Sequence, residues 1–241
     1  MSAAVDGHSE WIDDFVGRVD RPVTTSLLRR PAGSPDPHTI VGAPLAEAGD
    51  GTANRTAHRI AVAWRMVSED LRRWPFELSV NVVLASPLVP RLARVALLRA
   101  LGMQLHNLDL YPRCHFRSTK LKVGRGTVIN SDCHFGNDDW IEIGEYAGVA
   151  MNVSFLTTGH ASGPRECRAG DVYTAPIVVG HGAWIGANAV ILPGVTIGDG
   201  CVIGAGSIVR TDCAPDSLYC GVPARFVKRL DDRANPTADP R

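Results

Sequence analysis

The sequence predicts a mainly β protein: a parallel β-helix of hexapeptide repeats, preceded by an α-helical cap and a flexible N-terminal arm. Three observations carry this. Val179, Ile185, Ile191, Ile197, Ile203 and Val209 recur every six residues without a miss. Four places after each comes a small or short residue (Ala183, Ala189, Val195, Cys201, Ser207, Cys213), and glycine directly follows the aliphatic at 180, 186, 198 and 204. Before Leu105 the apolar spacing is helical instead. A six-residue unit of inward aliphatic, turn glycine and small inward residue marks a β-helix with three hexads to a coil, whose core no single coil could bury alone. The glycines are expected to supply corner conformations that a side chain would hinder.

In chain order, residues 1–56 are rich in Pro, Gly, Ala, Asp and Thr, lack an apolar period, and read as a flexible arm. Residues 57–105 form the helical cap. There Ile60, Trp64, Val67, Leu71 and Trp74 share one helical face that is expected to pack against a neighbouring domain, and Pro75 is expected to stop the helix. A second helix is expected from about Pro90 to Leu101, with Gly102 as its C-terminal cap. Together these helices should cover the open strand edges of the first coil, which otherwise invite aggregation. Residues 106–230 form the β-helix: Val123, Ile129 and Phe135 continue the register, which slips by two residues to Ile143, Val149 and Phe155. The 24-residue step from Phe155 to Val179 places Ala161, Cys167 and Tyr173 at core slots among Gly163, Pro164 and Gly170, so a loop within 156–178 leaves the coil. Residues 231–241 read as a flexible tail.

Composition narrows the function. With 25 Lys+Arg against 25 Asp+Glu and no long basic run, the chain has no electrostatic footprint for nucleic acid. The stretch Leu78 to Val89 is too short and too interrupted to span a bilayer, and contact of the Trp-bearing helix with a membrane surface is the less favoured reading. The N-terminus lacks a basic start and an apolar core, from which we expect a cytoplasmic protein. Six cysteines without CxxC spacing call for no disulfide framework. Cys114 and Cys133 fall on inward slots, so His115 and His134 should face outward and share no metal with them.

Residues of about 120–230 resemble the hexapeptide-repeat acyltransferases of the galactoside, maltose and nodulation-factor O-acetyltransferase type. The resemblance rests on Thr158-Gly-His160, Ala183-Trp-Ile-Gly186, Ile191-Leu-Pro-Gly-Val-Thr-Ile-Gly198, Val202-Ile-Gly-Ala-Gly-Ser-Ile-Val209 and Gly221-Val-Pro-Ala-Arg225. The helical part looks closer to the colanic acid acetyltransferases of polysaccharide biosynthesis. The resemblance implies a left-handed coil and a homotrimer with active sites between subunits. It also implies acetyl transfer from acetyl-CoA to a hydroxyl of a sugar or glycosylated small molecule, directly in a ternary complex and without a metal. His160 would be the general base, because an alcohol attacks only once its proton is withdrawn and an imidazole titrates near neutrality. The backbone N–H of Ala187 would stabilise the oxyanion. Asn130 and Asp138 would bind the acceptor, although both also lie in turn-forming sequences. Trp184, Gly186, Ala205, Arg210, Thr211, Arg225 and Lys228 would bind CoA; where the galactoside enzymes tend to have Thr-Lys after the last coil, this chain has Arg210-Thr211, with the charge moved by one residue, leaving open which of the two makes contact. Two other readings of the coils are a γ-carbonic-anhydrase-like zinc enzyme and a non-catalytic scaffold. The first needs a His pair five residues apart, whereas His134, His160 and His181 are widely spaced.

Overall fold

The computed structural model describes residues 52–230. Of the arm assigned to residues 1–56, residues 1–51 lie outside the described residues, as does the tail 231–241, while Thr52–Phe76 is already helical. The chain clusters into two compact units: Gly159–Tyr173, and Thr52–Thr158 together with the chain from Thr174 onward.

The larger unit is a parallel β-helix of three sheets. The first sheet stacks Gln104–Leu105, Leu121–Val123, Ile141–Ile143, Ile177–Val179 and Thr196–Ile197. The second stacks Asp109–Leu110, Val128–Ile129, Gly148–Val149, Trp184–Ile185, Val202–Ile203 and Ser217–Gly221, and adds Ala224–Arg229 antiparallel at its end. The third stacks His115–Phe116, His134–Gly136, Ser154–Leu156, Val190–Ile191 and Ile208–Val209. Register partners Val178↔Thr196, Trp184↔Val202 and Val190↔Ile208 lie eighteen residues apart, which is three hexads. Two coils earlier the offset is twenty (Lys122↔Glu142, Val128↔Gly148, His134↔Ser154), because two extra residues enter the corner before Ile141. That corner is held by Asn137, whose buried Oδ1 accepts from the N–H of Arg117 (2.9 Å) and Ser118 (3.0 Å) while its Nδ2 donates to Ser118 O (2.8 Å).

All twelve positions selected by the six-residue register are buried, and each stacks on its counterpart one coil away. Phe116, Phe135 and Phe155 form a continuous aromatic column, with ring centroids 4.9 and 5.2 Å apart. Burying each such side chain contributes about 1.5–3 kcal/mol. The role expected of the repeat glycines is corrected. A β-carbon on Gly186 would lie 2.5 Å from Ala205 N, so these glycines are required because successive coils approach too closely for a side chain. The left-handed corner conformation falls two residues later, at Asn152 (φ 59°), Asn188 (φ 60°) and Gly206 (φ 70°), where Asn and Gly are tolerated.

Pro75 does not end the first helix. Thr52–Phe76 contains it and runs straight into a π-helical segment, Glu77–Leu84. Proline removes one backbone donor, and the wider π turn that follows accommodates the disturbed ladder. Gly102 (φ 106°) does cap the helix Arg91–Ala100: its N–H donates to Arg99 O (2.9 Å) and Met103 N–H donates to Leu98 O (3.2 Å), the paired bonds of a Schellman ending.

Edge covering is performed by the residues after Pro75, one side chain for each sheet. Asn81 pairs with both backbone groups of Phe116, at 2.9 Å each, as a neighbouring strand would. Arg94 is buried and donates to Leu110 O (2.8 Å), as well as to the carbonyls of Leu84, Ser86 and Val89. Arg99 Nε donates to Leu105 O. Trp64, Val67, Leu71 and Trp74, expected to pack, are exposed in the single chain, because the capping contacts are made further along. No helix among the described residues is long and apolar enough to cross a membrane.

Candidate functional site

The segment expected to be a loop is a β-hairpin. Thr158–Ser162 and Ala169–Thr174 form their own two-stranded sheet, and Gly163 N–H donates to Arg168 O (3.0 Å) across the turn. His160 lies on the first strand with its side chain exposed. Its Nδ1 is 3.1 Å from Gly170 O. A carbonyl oxygen only accepts, so Nδ1 carries the proton and Nε2 presents its lone pair.

At the first residue of the hairpin, Thr158 Oγ1 donates to Asp138 Oδ2 (2.8 Å), and Asp138 Oδ1 accepts from Arg117 Nε (2.7 Å). Asp138 therefore holds Thr158, a link that residue types alone could not show. Thr157, buried, donates to Gly136 O (2.7 Å) and accepts from Asp139 N–H (3.0 Å), fixing the residue before it.

Within the larger unit, one corner collects four of the expected residues. Asn130, Gly186 and Gly204 occupy equivalent positions coil upon coil, as the bonds Asn130 N–H to Val149 O (2.9 Å), Gly186 N–H to Ile203 O (2.8 Å) and Gly204 N–H to Tyr219 O (2.8 Å) show. Ala187 and Ala205 follow one residue on and are aligned by the bond from Gly206 N–H to Ala187 O (2.8 Å). Among the described residues no hydrogen bond is accepted from the N–H of Ala187 or Ala205. Asn130 Oδ1 accepts from Ser131 N–H (2.8 Å), which is the turn chemistry its sequence allowed.

Trp184 stands on the outer face of the second sheet, 52% exposed, with its ring over Gly148, where any β-carbon would collide with it. Arg225 and Lys228, three residues apart, would point to opposite faces of a regular strand. The register shift between Leu218 and Tyr219 places Arg225 opposite Cys220 and Lys228 opposite Leu218, which leaves Val227 as the extra residue and turns both cations to one face. Leu218 pairs with Val202 and Val202 with Trp184, so this is the Trp184 face, with Lys228 three strands or roughly 14 Å away. Arg210 and Thr211 lie at the next corner, after Ile208–Val209, and do not join the Ala187 corner. A groove of about 770 Å³ lies elsewhere still, along Lys122, Glu142, Gly144, Gly180 and His181.

As expected, Cys114 and Cys133 turn into the core while His115 and His134 face out, stacked with centroids 5.0 Å apart. No group of three or more His, Cys, Asp or Glu side chains able to hold a metal ion is found among the described residues. Burial, followed by His115 and Arg117, lowers the His134 pKa from its ordinary 6.5. The folded state thus favours neutral His134: its contribution is complete above about pH 6.5 and is lost as pH falls through the lowered value. We expect the wild-type melting temperature to fall more steeply than that of His134→Gln between pH 7 and 5, as read by thermal unfolding; parallel curves would remove His134 from the acid response.

A family model described as bacterial transferase hexapeptide (six repeats) matches residues 176–211. The chain is 39% identical over 115 residues to the galactoside O-acetyltransferase of Escherichia coli K12, covering 48% of this chain and 57% of that protein, so it spans about half the length of the curated relatives it matches. A galactoside acetyltransferase solved in complex with coenzyme A is similar at 33% identity and TM-score 0.60, with 68% of this chain and 81% of that one covered. A hexapeptide-repeat acetyltransferase from Vibrio cholerae, solved with acetyl coenzyme A, is similar at 30% identity and TM-score 0.58, with coverage of 77% and 94%.

Proposed function

The chain belongs to the hexapeptide-repeat transferase family, and from that membership we propose that it is an acetyl-CoA-dependent O-acetyltransferase acting on a hydroxyl of a sugar or glycosylated small molecule. The observation that carries the reading is His160, whose Nδ1–H is committed to Gly170 O so that Nε2 is the free base. In the proposed reaction Nε2 takes the proton of the acceptor hydroxyl as its oxygen bonds to the thioester carbonyl carbon. The resulting oxyanion is met by the N–H of Ala187, which has no acceptor among the described residues. The tetrahedral centre collapses by breaking the carbon–sulfur bond, and Nε2 returns its proton to the departing sulfur, which releases CoA as the thiol and restores the base. No covalent enzyme intermediate forms.

Trp184, Gly186 and Ala205 are assigned to the pantetheine path, and Arg225 and Lys228, on the Trp184 face, to the phosphates; Arg210 or Thr211 adds a contact from the next corner. Asn130 and Asp138 are assigned to the acceptor, with Asp138 sharing its carboxylate with Arg117 and Thr158. The reading includes a homotrimer with active sites between subunits, as the family resemblance implies. It also includes a cytoplasmic location, supported by six free thiols. Thiol release from acetyl-CoA, measured across galactosides, maltose and nucleotide sugars, tests the proposal: acceptor-dependent release is expected with at least one, and none with any acceptor would overturn it.

A further inference from the structure

The hairpin is pinned at two places by contacts that admit no side chain. On its first strand Gly159 precedes His160, and the Tyr173 ring from the second strand lies where a 159 side chain would stand: a β-carbon there would be 2.5 Å from Tyr173 Cζ and Oη. Nearer the turn, Gly163 and Gly170 are pressed together, and a β-carbon on Gly170 would lie 2.8 Å from Ala161 O. Between these points runs the bond from His160 Nδ1–H to Gly170 O, 3.1 Å. Successive residues of a strand face opposite ways, so Tyr173 grips the strand from behind, on the face away from the imidazole. Tyr173 is partly buried, and its phenol pKa is raised by that burial.

We propose that Tyr173 is a positioning residue: its ring, seated on Gly159, holds the two strands in the register that lets Gly170 O keep His160 in the Nδ1–H tautomer. This rests on the reading of His160 as the base. The wrong tautomer would aim a proton, not a lone pair, at the acceptor hydroxyl. It also explains why glycine stands directly before the histidine, since any side chain at 159 displaces the ring.

The test uses the full chain with ¹⁵N-labelled histidine, reading the His160 ring tautomer by NMR at a pH where the imidazoles are neutral, alongside kcat and the acetyl-CoA KM. In wild type His160 should give the Nδ1–H signature. Gly159→Ala should lose it and lower kcat by about 10- to 100-fold with acetyl-CoA KM unchanged, the scale of a small misplacement of a reacting group. Tyr173→Ala should weaken the signature, whereas Tyr173→Phe, which keeps the ring, should retain both tautomer and kcat. The double variant Gly159→Ala/Tyr173→Ala should recover part of the kcat lost in Gly159→Ala, because the clash is gone. An unchanged tautomer in Gly159→Ala and Tyr173→Ala overturns the proposal, and so does a tautomer change without a change in kcat or a loss in Tyr173→Phe. Full turnover in His160→Ala would overturn the base assignment instead, and would leave the NMR result to judge the register contact by itself.

Discussion

His160→Ala should lower turnover by about 10²- to 10⁴-fold, the range of a lost general base, while acetyl-CoA binding and thermal stability stay at wild-type values. The side chain is exposed and its only hydrogen bond among the described residues is to Gly170 O, so its removal leaves no cavity and no buried group unsatisfied among them. A loss of stability would mean that the hairpin needs the imidazole for its own structure. Steady-state kinetics with thiol release as readout, beside acetyl-CoA binding by calorimetry, separates the two. Retention of more than a tenth of wild-type turnover would remove His160 from the proton transfer.

Arg225→Ala should raise the acetyl-CoA KM by about 10- to 100-fold with little change in kcat, since a charge-assisted phosphate contact contributes roughly 1.5–3 kcal/mol and acts far from the reacting carbonyl. Lys228→Ala should act in the same direction, because the strand irregularity at Val227 turns both side chains to one face. Both are exposed, and among the described residues Arg225 makes only a bond to its own neighbour's carbonyl, Ala224 O at 3.3 Å, so neither is committed there to a structural partner. Comparison of acetyl-CoA with acetyl-dephospho-CoA identifies the phosphate concerned: the variant missing the 3′-phosphate contact should no longer distinguish them. Unchanged KM in both single variants would return the two cations to the solvated surface.

The repeat was legible from Val123 onward, while the first strand, Gln104–Leu105, lies in the segment read as helical cap. A solenoid core repeats its demand every hexad, so Val179 through Val209 declared period and coil length together, and the two-residue slip before Ile143 appeared in the sequence where the structure has its wider corner. The inward direction of Cys114 and Cys133 followed from the same register. The helical segment was legible only as helix. Proline rules are local and did not reveal that the chain continues past Pro75 as a π turn, and helical periodicity could not tell that Asn81, Arg94 and Arg99 cover the sheet edges while Trp64 and Trp74 do not.

The candidate site divides in the same way. His160 was selected by its place in an interruption of the repeat and by its resemblance to known acyltransferases, and Trp184, Arg225 and Lys228 by resemblance alone. Its tautomer depends on a backbone carbonyl, which carries no side-chain identity, so no sequence signal existed for Gly170 or for the anchoring bond from Thr158 to Asp138. The sequence by itself determined the coil, its core and the type of side chain that performs the chemistry, because burial in a repeat is written at every turn. Only the tertiary structure decided which nitrogen is free and which cations share a face with Trp184, because those depend on distances between strands that residue order does not record.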